Sequence, residues 1–183
     1  MTPQPVNEQK LRELILYIAE RMEKDQHAGQ GRIKLAKLLW LSDFQAYLEL
    51  GHSITGTRYV ADELGPAPVD ELLAVRDLEG SGRLTLDPGY RRQRLPRAQR
   101  PADTAIFGSD ELAIVNELLD RFRCWTGKEL VDLAHEHPGY KLVHPDEEVP
   151  YDSAFLPTEP PPQAAVELGR QLIREGRWGN TST

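Results

Sequence analysis

Two histidines stand two residues apart in His135-Glu136-His137, with His144 further along and the only cysteine, Cys124, upstream. Imidazole and thiolate are metal ligands and nucleophiles, so this set could hold a zinc ion or drive a hydrolysis. On a helix, positions i and i+2 lie about 200° apart. The two rings therefore diverge unless the helix has already ended, which Pro138 would allow. Cys124 beside Trp125 reads as a small buried thiol, with Arg121 and Arg123 its only nearby bases. The chain has no Gly-x-x-x-x-Gly-Lys-Ser/Thr loop, no Gly-x-Ser-x-Gly elbow and no His-Glu-x-x-His helix. Gly29-x-Gly31 follows a helical pattern and lacks a third glycine, so it reads as a helix-to-helix loop. No catalytic residue, metal or cofactor is assigned, and no enzyme is expected. A hydrolase using His135, His137 and Cys124 stands as the weakest alternative.

Charge gives a second set of candidates. Residues 83–100 hold six arginines against one acid, a local +5 in a chain whose net charge is −7, leaving −12 for the rest. Arg91, Arg92, Arg94, Arg97 and Arg100 form the basic patch, interleaved by one stacking residue, Tyr90. Guanidinium forks take phosphate or carboxylate bidentately. The patch could thus grip nucleic acid, anchor an acidic partner or the chain's own 145–162 stretch, or simply solvate a strand edge. That stretch carries five acids, no base and six prolines, and an extended, largely solvated segment is expected there.

At 183 residues and 39% hydrophobic content, the chain has room for one domain with some extra length. No run approaches 18 apolar residues, so no membrane partner is expected. Met1-Thr2-Pro3-Gln4-Pro5 lacks the basic and apolar regions of a secretory signal, and a lone cysteine allows no internal disulfide. The expected location is cytoplasmic.

The elements that must position these groups follow from periodicity. Leu11, Leu14, Ile15, Ile18, Ala19 and Met22 make one helical stripe, predicting a helix from Glu8 to Lys24 capped by Asn7. Arg32 to Leu50 is apolar around nearly its whole circumference and ends at Gly51, which marks a central buried helix. Lys37 and Asp43 lie inside it, read as a snorkelling lysine and an aspartate bonding a loop amide. Tyr59-Val60-Ala61 is a candidate strand. Pro68 suits the first turn of a third helix, Val69 to Leu78, with Leu72, Leu73 and Val75 or Arg76 on the inner face. Arg83–Leu86 and Arg91–Leu95 flank Asp87-Pro88-Gly89-Tyr90 as a hairpin, followed by a connector from Pro96 to Phe107. Ser109 is read as the cap of a fourth helix, Asp110 to Phe122, and Thr126-x-x-Glu129 as the capping box of a fifth. Gln163 to Arg174 is a weaker last helix, before a loose end from Gly176. The expected fold is mainly α (α+β): a compact helical domain of about five to six helices around a central buried helix, with a small β-hairpin.

These blocks, in this order, resemble the Panacea domain, the SocA-like antitoxin family of toxin–antitoxin systems, which includes phage-associated members. Lys34-Leu35-Ala36-Lys37-Leu38-Leu39-Trp40-Leu41-Ser42-Asp43-Phe44 is similar to the family's Lys-Leu-Leu-Tyr-x-x-Asp-Phe helix. Gly51–Gly56 and Tyr59-Val60-Ala61 resemble the next block, Gly65-Pro66-Ala67-Pro68 its Gly-Pro-Val-Pro turn, and Ser109 through Pro138 its two-helix second half. Trp40 stands for a common Tyr, Ala67 for Val and Tyr140 for a frequent Trp, all keeping size and apolarity. No added helix-turn-helix is evident.

The resemblance implies an antitoxin that neutralises a co-encoded toxin by direct protein contact. The cognate toxin is then the first partner; a protease or chaperone is a second, through the delivery role one member plays. A nucleic-acid-binding regulator using the Arg-rich hairpin is the alternative function. The resemblance places a lead-in at 1–7, the domain at 8–142 with the basic hairpin and connector 83–107 inside it, and an acidic Pro-rich segment with a C-terminal helix at 143–183. Trp40, Asp43, Thr55, Tyr59, Gly65 and Pro66, at the junction of the second and third helices, are expected to form or support the toxin-facing groove. The competing reading, that they only fix the fold, stays open.

Overall fold

A computed structural model describes residues 5–89, 92–157 and 163–175. Helix α1 (Glu8–Lys24) opens at Asn7, whose side chain accepts the Lys10 N–H at 3.0 Å. Helix α2 (Arg32–Leu50) ends on Gly51 in the left-handed conformation, φ +76°. The apolar circumference of α2 is used as expected: it packs against α1, the later helices α4 (Ser109–Arg121) and α5 (Gly127–Glu136), and strand β2 (Gly65–Pro68). Lys34, Leu35, Lys37, Leu38, Leu39, Trp40, Asp43, Phe44 and Ala46 are all buried on it. This is the expected α+β class, with seven α-helices and two small hairpins among the described residues.

Strand β1 (Tyr59–Asp62) pairs antiparallel with β2, Tyr59 opposite Pro68 and Asp62 opposite Gly65. Pro68 therefore closes a strand. It does not open a helix, and α3 starts later, at Glu71–Gly80. Its inner face is Ala74, Val75 and Leu78, whereas Leu72 and Leu73 are exposed. The face turned inward is the 74, 75 and 78 set, one helical stripe that packs on α1. Strands β3 (Leu84–Pro88) and β4 (Arg94–Ala98) form the second hairpin, Leu84 opposite Ala98 and Pro88 opposite Arg94, so the connector begins only after Ala98.

Helix α4 is capped by Gly108, with Ser109 already its first residue. The Glu111 carboxylate turns back to accept the Gly108 N–H at 2.8 Å. The box at α5 forms as read: Thr126 N–H donates to Glu129 at 2.7 Å, and the Glu129 N–H donates to Thr126 Oγ1 at 3.3 Å. Pro138 then starts a separate turn, α6 (Pro138–Lys141), and α7 (Gln163–Arg174) follows later. No helix among the described residues is long and apolar enough to cross a membrane.

Two apolar clusters meet along α2. The larger joins α1, α2, α3 and α4 through residues such as Leu14, Ile18, Leu39, Val75 and Leu119. The smaller holds Trp40, Phe44, Tyr59, Ala61, Ala134 and Val149. The acidic stretch is mostly exposed over its described residues, as expected, but Val149 and Ser153 within it are buried. The Ala61 N–H donates to the Glu147 carbonyl and the Val149 N–H to the Tyr59 carbonyl, both at 2.8 Å, so residues 146–149 run along β1. The Tyr151 hydroxyl donates to the Thr57 carbonyl at 2.7 Å, and the Tyr151 ring stacks on Tyr47. Prolines at 145 and 150 exclude a helix but leave the intervening amides free to pair, and one valine and one tyrosine supply the apolar contact.

Candidate functional site

The six junction residues come together around α2, and all six are buried. Asp43 is completely enclosed. Its Oδ1 accepts the Thr55 N–H at 2.8 Å, and its Oδ2 accepts the hydroxyls of Thr55 at 2.5 Å and Tyr59 at 2.8 Å. Burial pushes the Asp43 carboxyl pKa up, while the donors from Thr55 and Tyr59 favour its charged form. Burial and the neighbouring Asp43 charge drive the Tyr59 phenol far above its usual range, so it stays a donor. The loop-amide bond expected of Asp43 is present, and two hydroxyls add to it.

Lys37 does not snorkel. It is buried and its Nζ donates to the Pro66 carbonyl at 2.7 Å, with burial drawing its pKa down to about 8. Gly65 makes room for it. A Cβ there would lie 3.4 Å from Lys37 Nζ and 2.8 Å from the Ala134 Cβ, and φ is +90°. Trp40 packs edge-on against His137, ring centroids 5.2 Å apart, and its Nε1 is buried with no hydrogen-bond partner among the described residues. Asp43, Thr55, Tyr59, Gly65 and Pro66 thus tie α2 to the β1–β2 hairpin, with Trp40 packed beside them. Being buried, they can shape a surface from beneath and do not themselves protrude from it.

Lys34, named in sequence only as part of a helix block, is the second buried cation. Its Nζ donates to the carbonyls of Ala28 (2.9 Å), Phe122 (2.9 Å), Arg123 (3.2 Å) and Trp125 (2.5 Å). Burial lowers its pKa to about 8, which still leaves most of it protonated at neutral pH. It thereby satisfies carbonyls at the end of α4, where a positive charge also meets the helix dipole favourably. The signal was available: a helix apolar all round has no solvent face on which Lys34 and Lys37 could sit.

The histidine and cysteine set does not converge. His135 Nε2 lies 3.0 Å from the Glu63 carbonyl and its ring stacks on Tyr140, whereas His137 turns inward against Trp40 and Phe44. The His137 Nδ1 accepts the Gly139 N–H at 3.1 Å, a cap for α6. Cys124 is exposed, not buried, because it falls in the loop after α4 rather than on the packed face of a helix. No three His, Cys, Asp or Glu side chains cluster as metal ligands among the described residues.

The basic patch is divided. Arg83 forks onto Glu13 at 2.7 and 2.9 Å. Burial alone would raise the Glu13 pKa, but that fork and the Asp103 N–H hold it below the usual carboxylate range. Arg97 donates to Gln30 at 2.6 Å and stands 3.6 Å from Glu23. Arg92, Arg94 and Arg100 are exposed, and Arg91 and Tyr90 lie outside the described residues. Arg92 and Arg94 line a groove of about 730 Å³ with the start of α2, the start of α5 and Leu64 in the β1–β2 turn. The Gly29-x-Gly31 loop lies at its edge, joining α1 to α2 as expected.

The fold and its ties define a mainly helical α+β domain organised on one buried helix. A family model for the antitoxin SocA-like, Panacea domain matches residues 35–140, well over half of the chain, and the protein belongs to that family. No curated protein and no solved structure matches it significantly.

Proposed function

We propose that the protein is a cytoplasmic antitoxin that neutralises a co-encoded toxin by direct protein contact, without catalysis. The family match over 35–140 carries this reading. The working unit is residues 8–142 with the lead-in 1–7, and 143–183 is an extension whose 146–149 stretch runs along β1. Trp40, Asp43, Thr55, Tyr59, Gly65 and Pro66 act as positioning residues that hold the β1–β2 hairpin against α2 and so set the shape of the partner-facing surface. A buried, fully hydrogen-bonded carboxylate supports that role, since it fixes one arrangement of the loop around it.

The test is co-expression with the product of the adjacent reading frame. That product alone is expected to arrest growth, and this chain to restore growth and co-purify with it. Restored growth without a complex would defeat direct neutralisation, and no effect on growth in either case would defeat the antitoxin reading.

A further inference from the structure

We infer that the groove between the starts of α2 and α5 and residues 92–94 is the docking site for an extended acidic segment of the toxin. This rests on the antitoxin reading above. Three observations carry it. The groove is amphipathic: its floor includes Ile33 and Leu64, each about two-fifths exposed at 44% and 40%, together with Val131. Two large aliphatic side chains left open in one groove suit an apolar anchor residue from a partner. Around them stand Arg92, Arg94 and Lys128.

The second observation is charge. In a chain of net −7, no described residue lining this groove is acidic. The cations are also available. Arg83 and Arg97 are engaged by Glu13, Gln30 and Glu23, but Arg92 makes no hydrogen bond or ion pair among the described residues. Arg94 makes one long bond, 3.4 Å to the Leu86 carbonyl. Among the described residues Lys128 pairs only with the Asp132 carboxylate one turn on, in an exposed pair of the kind that contributes little.

The third observation selects protein over nucleic acid. Two of the six hairpin arginines are internally paired, which shortens any track along a phosphate backbone. Outside residues 83–100 the chain carries −12, which repels a polyanion longer than the groove. A peptide with alternating carboxylates and aliphatic side chains matches both the rim and the floor.

The experiment titrates the full chain with the purified product of the adjacent reading frame at 50 and 300 mM salt. Binding is expected to weaken with salt, and Arg92→Glu/Arg94→Glu is expected to lose at least tenfold in affinity. Leu64→Glu, which tests the floor, should lose a similar factor, while Arg76→Glu, on exposed α3 surface away from the groove, should bind as wild type. Unchanged melting temperatures confirm that all the variants fold. Wild-type affinity in both groove variants overturns the groove and leaves the antitoxin reading standing. Absence of any complex with the unaltered chain overturns that reading, and the groove assignment with it. A single-stranded 20-mer DNA that binds the unaltered chain more tightly than the toxin does, and loses binding in Arg92→Glu/Arg94→Glu, reassigns the groove to nucleic acid and overturns the inference.

Discussion

The hydroxyl of Tyr59 donates to Oδ2 of Asp43 at 2.8 Å, and that bond fastens strand β1 to the middle of α2. A carboxylate wholly removed from water is tolerated because every donor around it is already aimed. Tyr59→Phe keeps the ring contacts with Phe44 and Tyr151 and removes only this donor. The expected loss is about 2 kcal/mol of unfolding free energy. Asp43→Ala strands the Thr55 N–H and two hydroxyls together, and the expected loss is about 3–5 kcal/mol. Urea titrations of the three proteins check the order. Equal midpoints for the wild type and Asp43→Ala would sink the argument.

Lys34 makes a parallel case with the opposite charge. Lys34→Met fills similar space but removes the ammonium donor from three carbonyls just past α4 and from Ala28 in the α1–α2 loop, and among the described residues only Phe122 and Arg123 of these keep a backbone donor. A loss of about 2–4 kcal/mol is expected. Hydrogen exchange should locate it, with amides of the last turn of α4 and the first of α5 losing protection before those of α1. Uniform or absent change would show that water replaces the ammonium at no cost.

Gly65 and Gly51 separate two effects that a glycine can serve. Both have positive φ, +90° and +76°, but only at Gly65 would a Cβ meet another atom, Ala134 Cβ at 2.8 Å. Gly51→Ala is expected to cost about 1 kcal/mol for the left-handed backbone alone. Gly65→Ala is expected to cost about 2–4 kcal/mol, because the β1–β2 turn must also lift off α5. Thermal unfolding of the two variants measures the difference. Equal losses would mean that the close approach to Ala134 is soft.

The helices were legible because they rest on local signals. The stripe of α1, the Gly51 stop and the Thr126–Glu129 box each lie within a few residues of the feature they specify. What the sequence hid depends on partners far along the chain. Pro68 reads as a helix start until Tyr59 is known to lie opposite it. The acidic stretch is as solvated as it reads over most of its described length, but its pairing with β1 shows only when Val149 is seen beside Tyr59, some ninety positions away in sequence. The central place of α2 was legible, but the carbonyls that Lys34 and Lys37 reach, on the loop after α4 and at Pro66, were not. The candidate groove was hidden for the same reason. Arg92 and Arg94 stood out as charge, but which arginines of the hairpin are spent on Glu13, Gln30 and Glu23 is a matter of packing, and Leu64 carried no signal of its own.

His27 supplies a pH dependence that can be isolated. It is 4% exposed, and neither ring nitrogen has a hydrogen-bond partner among the described residues. Burial, reinforced by the Lys34 charge, pulls its pKa down from 6.5 to about 4. Between those values the unfolded chain binds a proton that the folded chain refuses, so stability falls as pH drops through that window and is fully restored above 6.5. The change amounts to at most about 3 kcal/mol. Glu13 and Asp25, held below the carboxylate range, lose their contributions at the acid end, and Asp43, pushed up, acts in the opposite sense. Comparing the wild type with His27→Leu cancels these shared effects. The variant, with no proton to refuse, is expected to gain on the wild type by about 2–3 kcal/mol between pH 7 and pH 4 in urea titrations. A gap that stays constant across that range would show that His27 reaches water on a path that its burial conceals.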